Sequence, residues 1–218
     1  MNSPGFTDSK SKIISCIKKF RSAGSVILPN AKPDLAEKIE YPSLNEEELL
    51  SGFIEELKAL EVDSYVEYSP ENVRERLRSL IHGKSILSWE PQSLPYDLGT
   101  ILEKENVIYG RDEITVQTKA EIGLTGCDAA IAETGSLVLV QKKGQPKTAS
   151  LLPFVHVAVV KKSEIYFSMG EFFVKDGKEA AGSPCVNIIT GPSRTADIEQ
   201  TLTIGVHGPG KVIVVIGP

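Results

Sequence analysis

Between Val62 and Trp89 the sequence changes from a strand pattern to a helix pattern and back again with only short links, and this limits the folds open to it. Tyr65-Val66-Glu67-Tyr68 is short and β-prone. Ser69 precedes Pro70, a strong helix start: the hydroxyl can cap, and the proline lacks an N–H that the first turn would leave unused anyway. The helix is expected to run through Leu80, and Lys84-Ser85-Ile86-Leu87-Ser88-Trp89 then reads as the next strand. Strand, helix, strand with brief connections predicts a parallel, doubly wound arrangement. Leu151 to Val160 and Val212 to Ile216 are apolar runs of the same β-rich kind.

A chain of 218 residues with 41% hydrophobic content supports one substantial core, hence one domain with an appended helical segment. We divide it into a helical segment at 1–60, packed on the domain, and an α/β domain at 61–218. The clearest helix follows Asn45, which can cap it, and Glu46, Glu47 and Glu48 suit the positive end of the helix dipole. Leu49, Leu50, Phe53, Ile54, Leu57 and Leu60 form its buried stripe. An earlier helix is expected from Asp8 to Ala23, with a solvated lysine-rich face, and 29–43 reads as a proline-broken loop.

The 29 acidic and 24 basic residues leave a net charge of -5 with mixed signs, so nucleic acid is not an expected partner. No apolar stretch reaches the roughly 20 residues of a membrane helix, and the start lacks the order of a signal peptide. We therefore expect a soluble, cytoplasmic protein without a membrane partner. Cys16, Cys127 and Cys185 are far apart in sequence, fitting reduced thiols better than a disulfide framework or a metal site. There is no CxxC pair, so any iron–sulfur centre is expected on a partner.

Two blocks concentrate chemistry. Gly191-Pro192-Ser193-Arg194-Thr195-Ala196-Asp197-Ile198-Glu199, with His207-Gly208-Pro209, gathers hydroxyls, a guanidinium, two carboxylates and an imidazole between two β-rich runs. Strand ends are where open α/β sheets bind ligands. The second block, Gly123 to Val140, reads as two buried strands, Ala129 to Ala132 and Leu137 to Val140, hinged at Glu133-Thr134-Gly135-Ser136. Glu133 there must lie in water or be paired, because an uncompensated buried carboxylate costs several kcal/mol. A plain hairpin turn is the competing reading. His156 falls in an apolar strand and reads as a core histidine. Beyond it we expect a short helix from about Lys162 to Phe173, a turn at Asp176-Gly177-Lys178, and a strand from Ser183 to Thr190.

Together, Leu124 to Leu137, His156-Val157-Ala158, Gly191 to Glu199 and Gly205-Val206-His207-Gly208-Pro209 resemble the LUD-domain family, and within it the kind of member that carries no iron–sulfur motifs. The resemblance covers about the last 120 residues. It implies a three-layer α/β sandwich like that of the sugar-phosphate isomerase and CoA-transferase group. It also implies a part in oxidising L-lactate to pyruvate, with no cofactor in this chain and iron–sulfur clusters on partner subunits. The family motif falls on Thr125, Asp128, Glu133, Thr134, Gly135, Ser136, Ser193, Arg194, Thr195, Asp197, Glu199, His207 and Gly208, which become candidates for binding a small anion. Glu133 and His207 are the catalytic candidates.

On these positions Ser193 is placed to cap a short helix starting at Arg194, leaving the N–H groups of Thr195 and Ala196 to face an anion. Arg194 suits a bidentate grip on a carboxylate or phosphate, either of a ligand or of Glu133. Asp197 and Glu199 point to different sides of such a helix. Two other readings stay open: a polar network that only locks the last strand to the sheet, and a stand-alone enzyme or binding module for a phosphorylated or CoA-linked molecule with Glu133 as base or nucleophile. Cys127 and Gly210-Lys211 depart from the family pattern without removing a motif residue.

Overall fold

The helix that follows Asn45 forms as its sequence requires. In the computed structural model, which describes residues 11–12, 14–15, 41–195, 203–204 and 207–218, α1 spans Glu46–Ala59. The Asn45 side chain accepts from the Glu48 N–H at 3.0 Å, and the Glu48 carboxylate accepts from the Asn45 N–H at 2.8 Å. This reciprocal cap satisfies two orphan donors at once. Asn45→Ala is expected to lower stability by about 1 kcal/mol, read from the urea midpoint. Of the expected stripe, Phe53 and Leu57 are fully buried, and Leu49, Leu50, Ile54 and Leu60 pack around them. Residues 41–218 form one compact unit. In the other unit, residues 11, 12, 14 and 15 are helical, while the rest of the helix expected at 8–23 and most of the loop expected at 29–43 lie outside the described residues.

Strand β1 (Asp63–Val66), helix α2 (Pro70–Ile81) and strand β2 (Ser85–Ser88) follow the expected order, and Ser69 Oγ accepts from the Asn72 N–H at 3.2 Å. After α3 (Gly99–Leu102) come β3 (Asn106–Tyr109), α4 (Ile114–Gln117) and β4 (Ile122–Thr125). With β7 (Val155–Lys161) and β12 (Lys211–Gly217) these strands make a six-stranded sheet in the order β1-β12-β7-β4-β2-β3, and every neighbouring pair is parallel. Val157 to Val160 and Val212 to Ile216 are buried, as a sheet covered on both faces demands.

A second sheet carries the hairpin β5 (Ala129–Ile131) and β6 (Ser136–Val140), flanked by β8 (Ile165–Tyr166) and β9 (Val186–Ile189) in the order β8-β5-β6-β9. Its strands alternate between two interiors, as side chains two apart share a face. Ala130, Leu137 and Leu139 join the main core, while Ala129, Ile131, Val138 and Val140 pack with Phe172 and Ala180. Phe172 and Ala180 lie on α5 (Met169–Lys175) and α6 (Gly177–Gly182). The result is a three-layer α/β sandwich.

Three local expectations change. Lys162–Glu164 makes a single 3-10 turn, but Ile165 and Tyr166 pair with Ala130 and Ile131, which holds them in strand, so the α-helix starts at Met169 under a Ser168 cap. Gly177 opens a further short helix in place of a simple turn. The strand expected at 183–190 is Val186–Ile189, and it runs antiparallel to β6 in the second sheet.

Candidate functional site

Two of the motif turns meet at the end of α1. Leu60 closes that helix, and Glu61 takes a left-handed φ of 61° that carries the chain into β1. A Cβ on Gly135 would lie 2.9 Å from Leu60 Cδ1, and one on Gly191 3.3 Å from Leu60 Cβ. Both glycines have positive φ, 64° and 78°, so the β5–β6 turn and the turn after β9 press on the same leucine. Arg194 donates to the Leu60 carbonyl at 3.2 Å and pairs with the Glu61 carboxylate at 2.8 Å. A chain of hydroxyls, Thr134 to Ser136 and Ser136 to Thr190, each at 2.8 Å, ties the hairpin to the end of β9.

This corner corrects the helix expected at Arg194. Arg194–Thr195 is instead a short strand, β10, antiparallel to β11 (Thr203–Ile204). Strand backbone turns its N–H groups to a ladder, so the helix terminus proposed to face an anion is not formed. The Ser193 N–H donates to the Pro209 carbonyl at 2.8 Å, which brings Ser193 beside Gly208. Glu133 is exposed at the hairpin turn with its N–H bonded to the Phe167 carbonyl at 2.9 Å, and His207 is exposed too. Among the described residues no hydrogen bond or ion pair joins Glu133, Arg194 and His207; the carboxylate on Arg194 is Glu61, which the motifs did not single out. Asp197 and Glu199 lie outside the described residues. The Glu61 side chain is 77% exposed, so Arg194→Ala is expected to cost no more than about 1 kcal/mol in urea unfolding.

The remaining candidates sit elsewhere. Thr125, at the end of β4, is buried with its Oγ1 2.9 Å from His156 Nε2. His156 Nδ1 has no hydrogen-bond partner among the described residues, and burial pushes the imidazole pKa down to about 4, so the ring is neutral. Asp128 accepts from the Val140 N–H and from Lys142 Nζ, both at 2.8 Å. Cys127 is a buried small residue whose thiol donates to the Ala129 carbonyl, and burial raises its pKa far from thiolate reactivity. Gly210 has its own reason: a Cβ there would lie 2.4 Å from the Phe154 ring.

The open space lies at the carboxyl ends of the parallel strands, where such sheets place ligands. Cavities of about 340, 260 and 270 Å³ overlap around Lys142, which lines all three. The first is walled by Glu90 and Arg111, just past β2 and β3, and by the loop 141–146 after β6. The second runs over Trp89, Gly126 and Asp128 to Lys161 and Glu164, an ion pair at 2.8 Å. The third continues from Asp128 to Tyr166 and Asp176. Asp128 is the motif candidate that lines this trough; Arg111, Lys142, Lys161 and Gln145 were not singled out. A signal for part of it was present in Lys142-Lys143-Gly144-Gln145-Pro146, two cations in a glycine–proline loop directly after a strand.

The chain and its sandwich have counterparts among known proteins. A family model described as LUD domain matches residues 50–216. Proteins named Lactate utilization protein C are similar: that of Anoxybacillus flavithermus is 34% identical over 162 residues, covering 70% of this chain and 73% of its own. The Macrococcus caseolyticus protein is 31% identical over 216 residues, covering 88% and 93%. The Bacillus subtilis protein is 29% identical over 229 residues, covering 94% and 92%. The crystal structure of a DUF162 family protein from Deinococcus radiodurans superposes with a TM-score of 0.65 at 22% identity, covering 80% of this chain and 99% of that one, and supports the fold. All of the parallel sheet but its last residue, Gly217, and the trough at its strand ends fall inside the matched stretch, and the chain belongs to the LUD domain family.

Proposed function

We propose that this protein serves lactate utilisation, as a subunit or accessory factor in the oxidation of L-lactate to pyruvate beside partner proteins that hold iron–sulfur clusters. The observation that carries this reading is the similarity to proteins named Lactate utilization protein C over as much as 94% of the chain. Oxidising lactate to pyruvate removes two electrons and two protons, and one-electron clusters on partners are a suitable sink for the electrons. Among the described residues the two cysteines do not suit a cluster: Cys127 is buried between β4 and β5, and Cys185 lies just ahead of β9. Both are free thiols, in keeping with a cytoplasmic setting. Among the described residues no helix is long and apolar enough to cross a membrane.

The trough supplies what a small carboxylate needs. The ammonium groups of Lys142 and Lys161 are held by Asp128 and Glu164 at its wall, and an incoming carboxylate can take donors from either. Deleting the coding sequence is expected to abolish growth on L-lactate as sole carbon source, with growth restored by a wild-type copy. Normal growth of the deletion strain would sink the reading. In the restored strain a tagged copy should co-purify with proteins showing the visible absorbance of iron–sulfur clusters, and purification without them would remove the partner assignment.

A further inference from the structure

We propose that the cavity between Arg111 and the loop 141–146 binds the phosphoryl or diphosphoryl group of a small phosphorylated ligand. The proposal stands on this cavity alone and does not rest on the lactate reading. Its charged lining is Arg111, Lys142 and Lys143 against Glu90, in a chain whose net charge is -5. Asp128, just outside this cavity, pairs with Lys142. Lys143 is exposed and has no ion-pair partner among the described residues.

The cations are held in place by close backbone approaches. The Glu90 N–H donates to the Gly144 carbonyl at 2.8 Å, and Gly144 has a φ of 81° with Glu90 Cγ 3.0 Å from where a Cβ would stand. Gly110 approaches Pro146 so closely that a Cβ would lie 2.4 Å from the proline Cβ. These two contacts clamp the loop that carries Lys142 and Lys143 against the strand ends that carry Glu90 and Arg111. The Arg111 guanidinium is set by one bond to Glu90 at 2.5 Å and by the Tyr109 ring, 4.6 Å away. Its side chain is still 64% exposed, so it keeps donors for a ligand.

A second observation points to a missing polar partner. Gln145 is nine-tenths buried, lines this cavity and its neighbour, and its Oε1 has no hydrogen-bond partner among the described residues. A buried amide oxygen left unpaired is costly, and although Gln145 Oε1 is sealed from solvent here, a shift of the side chain toward a bound ligand would give it a partner. A guanidinium fork beside two ammonium groups matches tetrahedral oxyanions. About 340 Å³ holds a diphosphate, and the adjoining cavity of about 260 Å³ along Trp89, Leu94 and Pro95 accepts the remainder of the molecule.

The test is calorimetric titration of the full chain with inorganic pyrophosphate, with phosphate and L-lactate as parallel arms at matched ionic strength. Saturable pyrophosphate binding is expected, weakened at least tenfold by Arg111→Ala and by Lys143→Ala and unchanged in Lys162→Ala, whose lysine lies over Tyr68 away from the cavity. Lys143 is a surface side chain, so its removal reads binding without a folding defect. No saturable binding, equal affinity in Lys143→Ala, or equal weakening by Lys162→Ala would overturn the proposal. Binding of lactate without pyrophosphate would overturn it while leaving the lactate reading standing.

Discussion

Gly123→Ala is expected to lower stability by about 3 kcal/mol or more, among the larger effects a single methyl can have. Gly123 lies inside β4, paired with Leu87 on one side and His156 on the other. A Cβ there would stand 1.7 Å from the Ala149 carbonyl oxygen and 2.9 Å from its carbon, with Pro153 Cγ at 3.2 Å. The two Ala149 atoms are backbone of the turn at Lys147–Ser150, so no flexible side chain can swing away to relieve the closest clash. The turn must lift off the sheet, and it follows directly on the loop that forms one wall of the trough. Gly182, with open space around the same position, is the control: Gly182→Ala should shift the urea midpoint little in either direction. A Gly123→Ala protein as stable as wild type would mean that the turn does not seat on β4 as described.

Acidification from pH 7 to pH 4 is expected to remove about 3 kcal/mol of stability through His156 alone. The ring is fully buried in β7, and desolvation lowers its pKa to about 4, against about 6.5 in an unfolded chain. Above pH 6.5 it is neutral in both states and contributes no pH dependence. Below that, the unfolded chain takes up a proton that the folded chain refuses until about pH 4, so stability falls across this window and then levels. Thr125→Val with His156→Leu removes both members of the 2.9 Å pair without leaving a lone buried hydroxyl. Urea unfolding at pH 7 and pH 4 should show a smaller acid loss in the double variant, by about 3 kcal/mol. Equal losses in both proteins would show that His156 is not the group responsible.

Much of the fold was legible where one local signal sufficed. Asn45 and Glu48, or Ser69 and Pro70, each fix a helix start within four residues, since a cap satisfies only its own first turn. The parallel sheet followed from strand–helix–strand order, because a short helical link leaves the second strand little choice of direction. Glu133 was readable too: a carboxylate between buried strands is tolerated at a wet turn, and there it stands. The failures occurred where a partner distant in sequence decided the local conformation. Arg194 had good residues for a helix start, but a ladder to Thr203 and Ile204 made it a strand. Ile165 and Tyr166 likewise became strand through pairing with Ala130 and Ile131.

The candidate site shows the same division more sharply. Sequence by itself determined the sheet-forming runs and the residues able to carry charge at the turns, because composition and short-range periodicity suffice for those, and its ordered motif blocks carried the resemblance to the family. Only the tertiary structure decided which charges meet. It joined Arg194 to Glu61, 133 positions away, and closed the turns at Gly135 and Gly191 over Leu60. It also drew Arg111 and Lys142 to one cavity at the strand ends. Coulomb and hydrogen-bond energies depend on separations of a few ångströms, and those separations are set by how the parallel sheet, whose β3 leads to Arg111, packs beside the second sheet, whose β6 leads to Lys142.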